Sequence, residues 1–395
     1  MQRNGVSEAP VVCMFTTIQN LSHYIRTIFG DFKLNFGGDM WTVPLQGVGQ
    51  GNGAGPQIWA IISTPVLNMM REEGFDAFFK ASISGDELGF VGYAFVDDTD
   101  LCETAGTGHA TGPAVALQMQ RSLDHWEGGF RATGGAIAPE KSHWYLIDFC
   151  WHHGSWRYAS EEQSPGSLTV LDSSGQRQTL ERLPPDSARR TLGVRLAPDG
   201  NNHAEVTYLH SCASEWKERI RTGHLPRQLA WQALTTTILP KLHYPLAANT
   251  MTEKECNFIM SPVLQGGLSC SGIVRTLPHT LVYGTTKYQG LGIPSLYTEQ
   301  GIAHILKLLQ HGHQPSITGD LLWASLQALQ VELGISGFPL EQHFPRVGFL
   351  ATDHCWVKHA WKFMSSSGFT IQSSALDPSL KLRRGNDSFL MELFL

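Results

Sequence analysis

The chain has 395 residues, 42% of them hydrophobic and only 16% charged, which is enough apolar material for two or three compact units and excludes disorder over the whole length. Its net charge is −6, from 29 Lys plus Arg against 35 Asp plus Glu, so no global basic footprint advertises a nucleic-acid partner. The acidic excess sits at the N-terminal end: residues 1–100 hold 5 basic and 11 acidic side chains, against 24 of each in the remainder.

In chain order, Met14, Ile18, Leu21, Tyr24, Ile25 and Ile28 fall at spacings of three and four, which predicts one amphipathic helix over 11–28. Two short apolar runs, 32–36 and 40–44, flank Gly37-Gly38 and read as a hairpin. A glycine-dense loop, Gly47 to Pro56, leads into a helix expected over 56–73, apolar on most faces and therefore buried. Residues 90–102 form two apolar arms around an acidic turn, and helical periodicity returns over 112–133. Trp144 to Trp151 reads as one buried strand, followed by a polar insert over 152–185. From Ser211 onward the pattern is helical, with segments expected at 215–221, 225–238, 252–264, 300–311 and 321–333. Residues 365–395 read as a weakly packed tail.

Asp97 and Asp98 at the tip of an otherwise apolar hairpin need a reason, because like charges side by side are costly unless a cation compensates. A solvated turn is the plain reading, since Asp is a common turn residue. A divalent cation is the functional one: Mg²⁺ takes one or two carboxylates and fills its octahedron with water and substrate phosphates.

The context favours the second reading. Gly92-Tyr93-Ala94-Phe95-Val96-Asp97-Asp98 resembles the aromatic-x-Asp-Asp hairpin of reverse transcriptases, and neighbouring segments follow in that family's order. Gln50-Gly51-Asn52 looks like the Gln-Gly loop that lines template and incoming nucleotide. The stretch from Gly134 to Lys141 and Ser142 is similar to the segment after the catalytic hairpin, and Thr191-Leu192-Gly193-Val194 resembles the primer grip. Trp216 to Tyr244 looks like the helical thumb, and Gly290 to Leu296 is similar to a segment recurring in non-LTR elements.

The resemblance covers roughly residues 10–310 and implies an α+β fold. A partial palm over 1–205 would carry Asp97 and Asp98 as Mg²⁺ ligands, followed by a thumb-like region over 206–320 and a C-terminal helical region with its tail over 321–395. The implied partners are an RNA template, a DNA primer and deoxynucleoside triphosphates. Lys141 would donate a proton to pyrophosphate or contact a phosphate, or it is a plain surface lysine. Gln50 would touch the template, or it caps the following helix. Family members hold a first catalytic Asp on a strand upstream of the segment that begins here at Met1. Two-metal transfer needs ligands from both strands, so the expectation for these 395 residues alone is a half-built site. A non-catalytic nucleic-acid-binding remnant is the alternative.

Other signals carry less. Residues 206–319 hold nine Lys or Arg against five Asp or Glu. Within them Lys217, Arg219 and Arg221 at alternate positions, with Arg227 beyond, are candidate phosphate contacts or else a solvated helix face. Gly49 to Ala54 fits the dinucleotide fingerprint of an NAD-dependent oxidoreductase, a distant third reading that demands parallel strands around the next helix. Asp148 reads as an outward-facing strand residue, and His152, His153, His311 and His313 as loop histidines without metal-site spacing. Seven scattered cysteines lacking C-x-x-C spacing suggest a reducing interior, nuclear or cytoplasmic. Ile58–Met70 is too short to span a membrane, and no apolar signal core follows Met1.

Overall fold

The computed structural model describes residues 7–20, 22–27, 30–37, 55–95, 98–104, 110–352 and 355–372. It is a mixture of helices and small two-stranded sheets, divided into two compact units. One unit comprises 1–77, 90–142 and 166–180; the other comprises 78–89, 143–165 and 181–395. Positions 205 and 320 both lie within the second unit.

The first unit begins with α1 (Glu8–Gln19), β1 (Ser22–Thr27) and β2 (Gly30–Gly37). The single helix expected over 11–28 is thus half helix and half strand. Residues 22–27 carry Tyr, Ile and Thr, which favour extended backbone, and they pair antiparallel with 30–37. The strand expected over 32–36 consequently joins the chain before it, and its other expected partner, 40–44, lies outside the described residues. Next comes α2 (Gly55–Glu72), close to expectation in extent. Its burial is one-sided: Ser63, Val66 and Met70 are buried while Ala60, Thr64 and Asn68 are exposed.

After β3 (Ala77–Lys80) and β4 (Glu87–Phe90), the first unit resumes with β5 (Gly92–Phe95), β6 (Asp98–Leu101) and α3 (Gly112–Ala132). Val66 and Met70 of α2 pack with Trp126 of α3 and with Val91 beside β5, burying the apolar stripe that period-3.6 spacing creates. The last piece of this unit is a small strand pair that docks on α3 through main-chain hydrogen bonds, once the strands between are given. These are β7 (His143–Tyr145), β8 (Phe149–His152), β9 (Ser155–Tyr158), β10 (Thr169–Leu171) and β11 (Arg177–Thr179). Gln120 of α3 accepts from Thr169 N at 2.7 Å and donates to Thr169 O at 2.9 Å, so its amide stands in for a neighbouring strand. Glu127, two turns on, accepts from Leu171 N at 3.0 Å and holds Arg131 at 3.3 Å.

In the second unit the buried strand expected over 144–151 is two strands, β7 and β8, broken at Asp148. The Asp148 carboxylate explains the break: it accepts from Phe149 N at 2.8 Å and from the Ser164 hydroxyl at 2.7 Å. Strand β8 pairs antiparallel with β9, which lies in the polar insert. Strand β12 (Glu181–Leu183) pairs parallel with β7, and β13 (Arg189–Thr191) pairs antiparallel with β14 (Val194–Leu196).

The helices follow as α4 (His203–Thr222), α5 (Arg227–Ala233), a π-helical segment Leu234–Ile238, α6 (Leu239–His243) and α7 (Glu253–Cys270). Helix α4 starts twelve residues before the expected 215, and Glu205 lies in its first turn. Its carboxylate, 1% exposed, accepts from Arg195 N of β14 at 2.8 Å, tying the last hairpin to the helices. Then come α8 (His279–Val282), α9 (Leu296–Gly312), α10 (Ile317–Leu333), α11 (Phe344–Val347) and α12 (Trp356–Ser366). Helix α9 packs on α7 and also on α10 and α12. Buried glutamines satisfy main chain in this core. Gln300 makes both amide hydrogen bonds to Met251, at 2.9 Å each, and Gln327 accepts from Ile83 N and Ser84 N at 2.9 and 2.8 Å. Among the described residues no helix is long and apolar enough to cross a membrane.

Candidate functional site

The acidic hairpin is built as β5 and β6, registered Gly92↔Leu101, Tyr93↔Asp100, Ala94↔Thr99 and Phe95↔Asp98. That register leaves two residues, 96 and 97, to connect the strands. Asp97 is one of them and lies outside the described residues; Asp98 is the first residue of β6. Paired residues share a face and alternate residues share a face, so Tyr93, Phe95, Asp98 and Asp100 stand together on one side. All four are exposed, the two rings at 55% and 61%.

On the opposite side Gly92, Thr99 and Leu101 are half-buried and Ala94 is exposed. Leu101 joins the cluster of Val66, Met70, Val91 and Trp126, and Ile137, four residues before Lys141, joins it too. The hairpin is therefore held at its base by α2 and α3, as the apolar arms suggest. Gly92 makes the pairing possible, because a Cβ there would overlap the carbonyl of Asp100. Lys141 ends a short 3-10 turn, Pro139–Lys141, and is exposed.

Just beyond β6 lie two groups that the sequence did not single out. Burial pushes the Cys102 thiol up to about 11, with the carboxylates of Asp100 and Glu103 adding to it. Burial likewise raises Glu103 to about 7; a hydrogen bond with Ser122 opposes this and the charge of Asp76 adds to it. The only sequence signal was an acidic residue two positions past Leu101, the apolar end of β6.

The tight turn between β13 and β14 is also formed. Leu192 and Gly193 have φ of +49° and +89°, the pair of left-handed residues that a two-residue hairpin turn requires. The candidate phosphate contacts divide. At 100° per residue, Lys217 and Arg221 share one face of α4 and Arg219 lies nearly opposite, so the three cannot follow one backbone as alternate positions suggested. Lys217 Nζ donates to Gln265 at 3.0 Å, Arg221 pairs with Glu218 at 3.2 Å and Arg219 with Glu215 at 3.8 Å. Arg227 starts α5 and lies against Gly272.

Compared with known proteins, the chain matches no protein family, no curated protein and no solved structure.

Gln50, Gly51 and Asn52 lie outside the described residues. So do all the positions of the dinucleotide fingerprint, 49–54, but the strands that flank the following helix are described: β2 pairs with β1 and β3 with β4, in separate two-stranded sheets, whereas the fingerprint requires paired parallel strands on either side of the helix. His152 and His153 have ring centroids 3.9 Å apart, yet among the described residues no group of three or more His, Cys, Asp or Glu could hold a metal ion. Asp98 and Asp100 suit a hard cation in kind, since both offer exposed carboxylate oxygens. A two-ion centre needs carboxylates from more than one strand, and the described residues supply these two from β6 alone. They do not make up that centre, and no step through Mg²⁺ follows from them.

Proposed function

We propose that this chain is a palm-and-thumb portion of a reverse-transcriptase-like protein of the non-LTR type, which grips a template–primer duplex. In that family the hairpin contributes to template-directed transfer of deoxynucleotides to a primer 3′-hydroxyl with Mg²⁺. The observation that carries the reading is the β5–β6 hairpin, whose two-residue turn joins Phe95 to Asp98 on a ribbon with two aromatics and two carboxylates on its exposed face. The tight Leu192–Gly193 turn, followed directly by long packed helices, supports it by occurring in the family's order. The described carboxylates of the hairpin come from a single strand, which supports binding of nucleic acid rather than its extension.

Two assays on the purified 395-residue chain test this. An RNA–DNA hybrid is expected to bind, more weakly as salt rises, while primer extension stays at background at every Mg²⁺ concentration. Absence of hybrid binding at low salt would overturn the family reading. Incorporation that disappears in Asp98→Ala would overturn the non-catalytic part of it.

A further inference from the structure

The hairpin of β8 and β9 carries none of the motifs behind the polymerase-like reading, and it wears its aromatic residues on the outside. Its strands are registered Phe149↔Tyr158, Cys150↔Arg157, Trp151↔Trp156 and His152↔Ser155. Paired residues and alternate residues share a face, so Phe149, Trp151, Trp156 and Tyr158 stand together on one side of the ribbon. The rings meet across the strands, Trp151 with Trp156 edge to face at 5.2 Å between centroids and Phe149 with Tyr158 at 5.1 Å. Such pairs hold a two-stranded ribbon together. They do not cover it: Trp151 and Trp156 are 60% and 66% exposed, and Phe149 and Tyr158 are exposed as well.

Size and charge decide what this face takes. Short strands rising about 3.3 Å per residue and lying about 4.8 Å apart make a face on the order of 100 Å². A stable protein partner, a second copy of this chain included, buries roughly 800 Å² on each side, so the face is too small for one and suits a few stacked bases. A bilayer would be met tip first, and the tip is polar: His153 and Gly154, with φ of +48° and +82°, form the two-residue turn between His152 and Ser155. Within residues 149–158 the one formal charge is that of Arg157, which is exposed, and there is no carboxylate. Asp148, Glu161 and Glu162 flank the ribbon at its base, where the charge of Asp199 also reaches Tyr158. The sheet is only two strands wide, so a side chain as long as that of arginine reaches its edge. Aromatic faces bind bases of any sequence by stacking, and a cation beside them meets the backbone.

We infer that the outer face of the β8–β9 hairpin is a docking surface for single-stranded nucleic acid, whose unpaired bases stack on Trp151 and Trp156 and whose backbone is met by Arg157. A duplex keeps its base faces stacked inside, so this surface is distinct from the candidate phosphate contacts on α4.

Fluorescence anisotropy of a labelled oligothymidylate of about ten nucleotides, within the site sizes of single-strand binders, tests it when titrated with the full chain at low salt. A strand of the same length and charge that lacks its bases separates stacking from charge, and the unaltered chain should bind it at least fivefold more weakly. Trp156→Ala should weaken the oligothymidylate at least fivefold and leave the abasic strand unchanged, whereas Trp156→Tyr, which keeps a ring, should retain most of the affinity. Arg157→Gln should weaken both strands and flatten the slope of log affinity against log salt by about 0.7, the share of one phosphate in a single strand. Because the abasic comparison uses the unaltered chain, it decides the matter even where Trp156→Ala opens the ribbon. Equal binding of the two strands, no binding of either, or binding indifferent to both Trp156→Ala and Arg157→Gln overturns the proposal. So does a dimer in sedimentation, or binding to phosphatidylcholine vesicles, that Trp156→Ala abolishes, since either assigns the rings to another occupant. A blunt RNA–DNA hybrid should bind Trp156→Ala as it binds the parent, so failure of hybrid binding counts against the polymerase-like reading and not against this surface.

Discussion

The Tyr244 hydroxyl donates a 2.6 Å hydrogen bond to the carbonyl of Leu192, fastening the end of the α5–α6 helical run to the tip of the β13–β14 hairpin. The aromatic ring also lies against Gly193, where an added Cβ would sit 3.3 Å from it. With φ of +89° at Gly193, a β-branched side chain is both strained and crowded. Gly193→Val should cost roughly 1–3 kcal/mol from the backbone conformation alone. Tyr244→Phe, which removes one partly exposed hydrogen bond, should cost about 0.5–1.5 kcal/mol. Leu192→Gly removes the penalty of a left-handed leucine, about 1–2 kcal/mol, against the entropy that glycine loses on folding, so it should be near neutral. Urea midpoints of the three variants test the order, and a Gly193→Val protein as stable as the parent would show that the turn is not built this way.

Gly92 bears the same relation to the acidic hairpin. Because a side chain there would overlap the Asp100 carbonyl, Gly92→Ala must open the pairing of β5 with β6. A loss of about 2 kcal/mol or more is expected, in the range of severe backbone effects. Amide exchange should show the damage locally: faster exchange at Cys102, whose N–H is bonded to Val91 O at 2.9 Å, with the α4–α7 core unaffected. Unchanged protection at Cys102 would contradict the register.

Periodicity made the long helices legible. The apolar stripes of α2, α3, α7, α9 and α10 lie where the spacing of three and four puts them, to within a few residues at each end. The failures have local causes. Residues 22–27 carry a helical spacing, yet Tyr24, Ile25 and Thr27 suit a strand equally, and the pairing with 30–37 decides it. Asp148 and Ser164, sixteen residues apart, break a run that looks like one strand, and no local pattern reveals a side-chain contact at that separation. The Leu192–Gly193 turn was legible because turn chemistry is local. The cavity beside α12 was not, since its lining comes from 201–203, 250–255, 344–349 and 358–362, which only packing brings together.

Glu103 sets one pH dependence. Its folded value, about 7, lies above its ordinary value of 4.5 because burial disfavours the carboxylate. Below the ordinary value both states are protonated and nothing is lost. As pH rises from there through about 7 the unfolded state ionises first, so stability falls. The residue is only half-buried, and water screens part of the effect. Glu103→Gln should abolish that decline, so the variant gains on the parent between pH 5 and pH 8 in matched denaturant titrations. Parallel curves across that range would show that Glu103 ionises freely in the folded protein.

The helix geometry of α4 changes which arginines to test for hybrid binding. Lys217 and Arg221 share a face, and Arg219 projects from the other side at 82% exposure. A duplex lying along one face meets the first pair and misses the third. Each phosphate neutralised contributes about 0.9 to the slope of log affinity against log salt. Lys217→Gln with Arg221→Gln should therefore flatten the slope by about two, and Arg219→Gln should leave it unchanged. A slope flattened by Arg219→Gln alone would move the duplex to the opposite face.

His304 sets the opposite pH dependence at the acid end. The ring is 2% exposed, stands edge-on to Trp356 with centroids 5.9 Å apart, and is held by a hydrogen bond to the Asn249 main chain. Burial lowers its value to about 4 from 6.5, the nearby charges of His359 and Lys307 lowering it further. Above the ordinary value both states are neutral and the stability is fully present. As pH falls from 6.5 the unfolded chain takes up a proton that the folded protein refuses, so stability drops until pH reaches about 4. At 1.36 kcal/mol per unit, the loss assigned to this one residue is about 3 kcal/mol across that window. Other groups titrate there too, so the measurement is a difference: the gap in unfolding free energy between the parent and His304→Gln, followed from pH 7 to pH 4. It should shift by up to that amount against the parent, and a gap constant in pH would mean that the folded protein protonates His304 without cost.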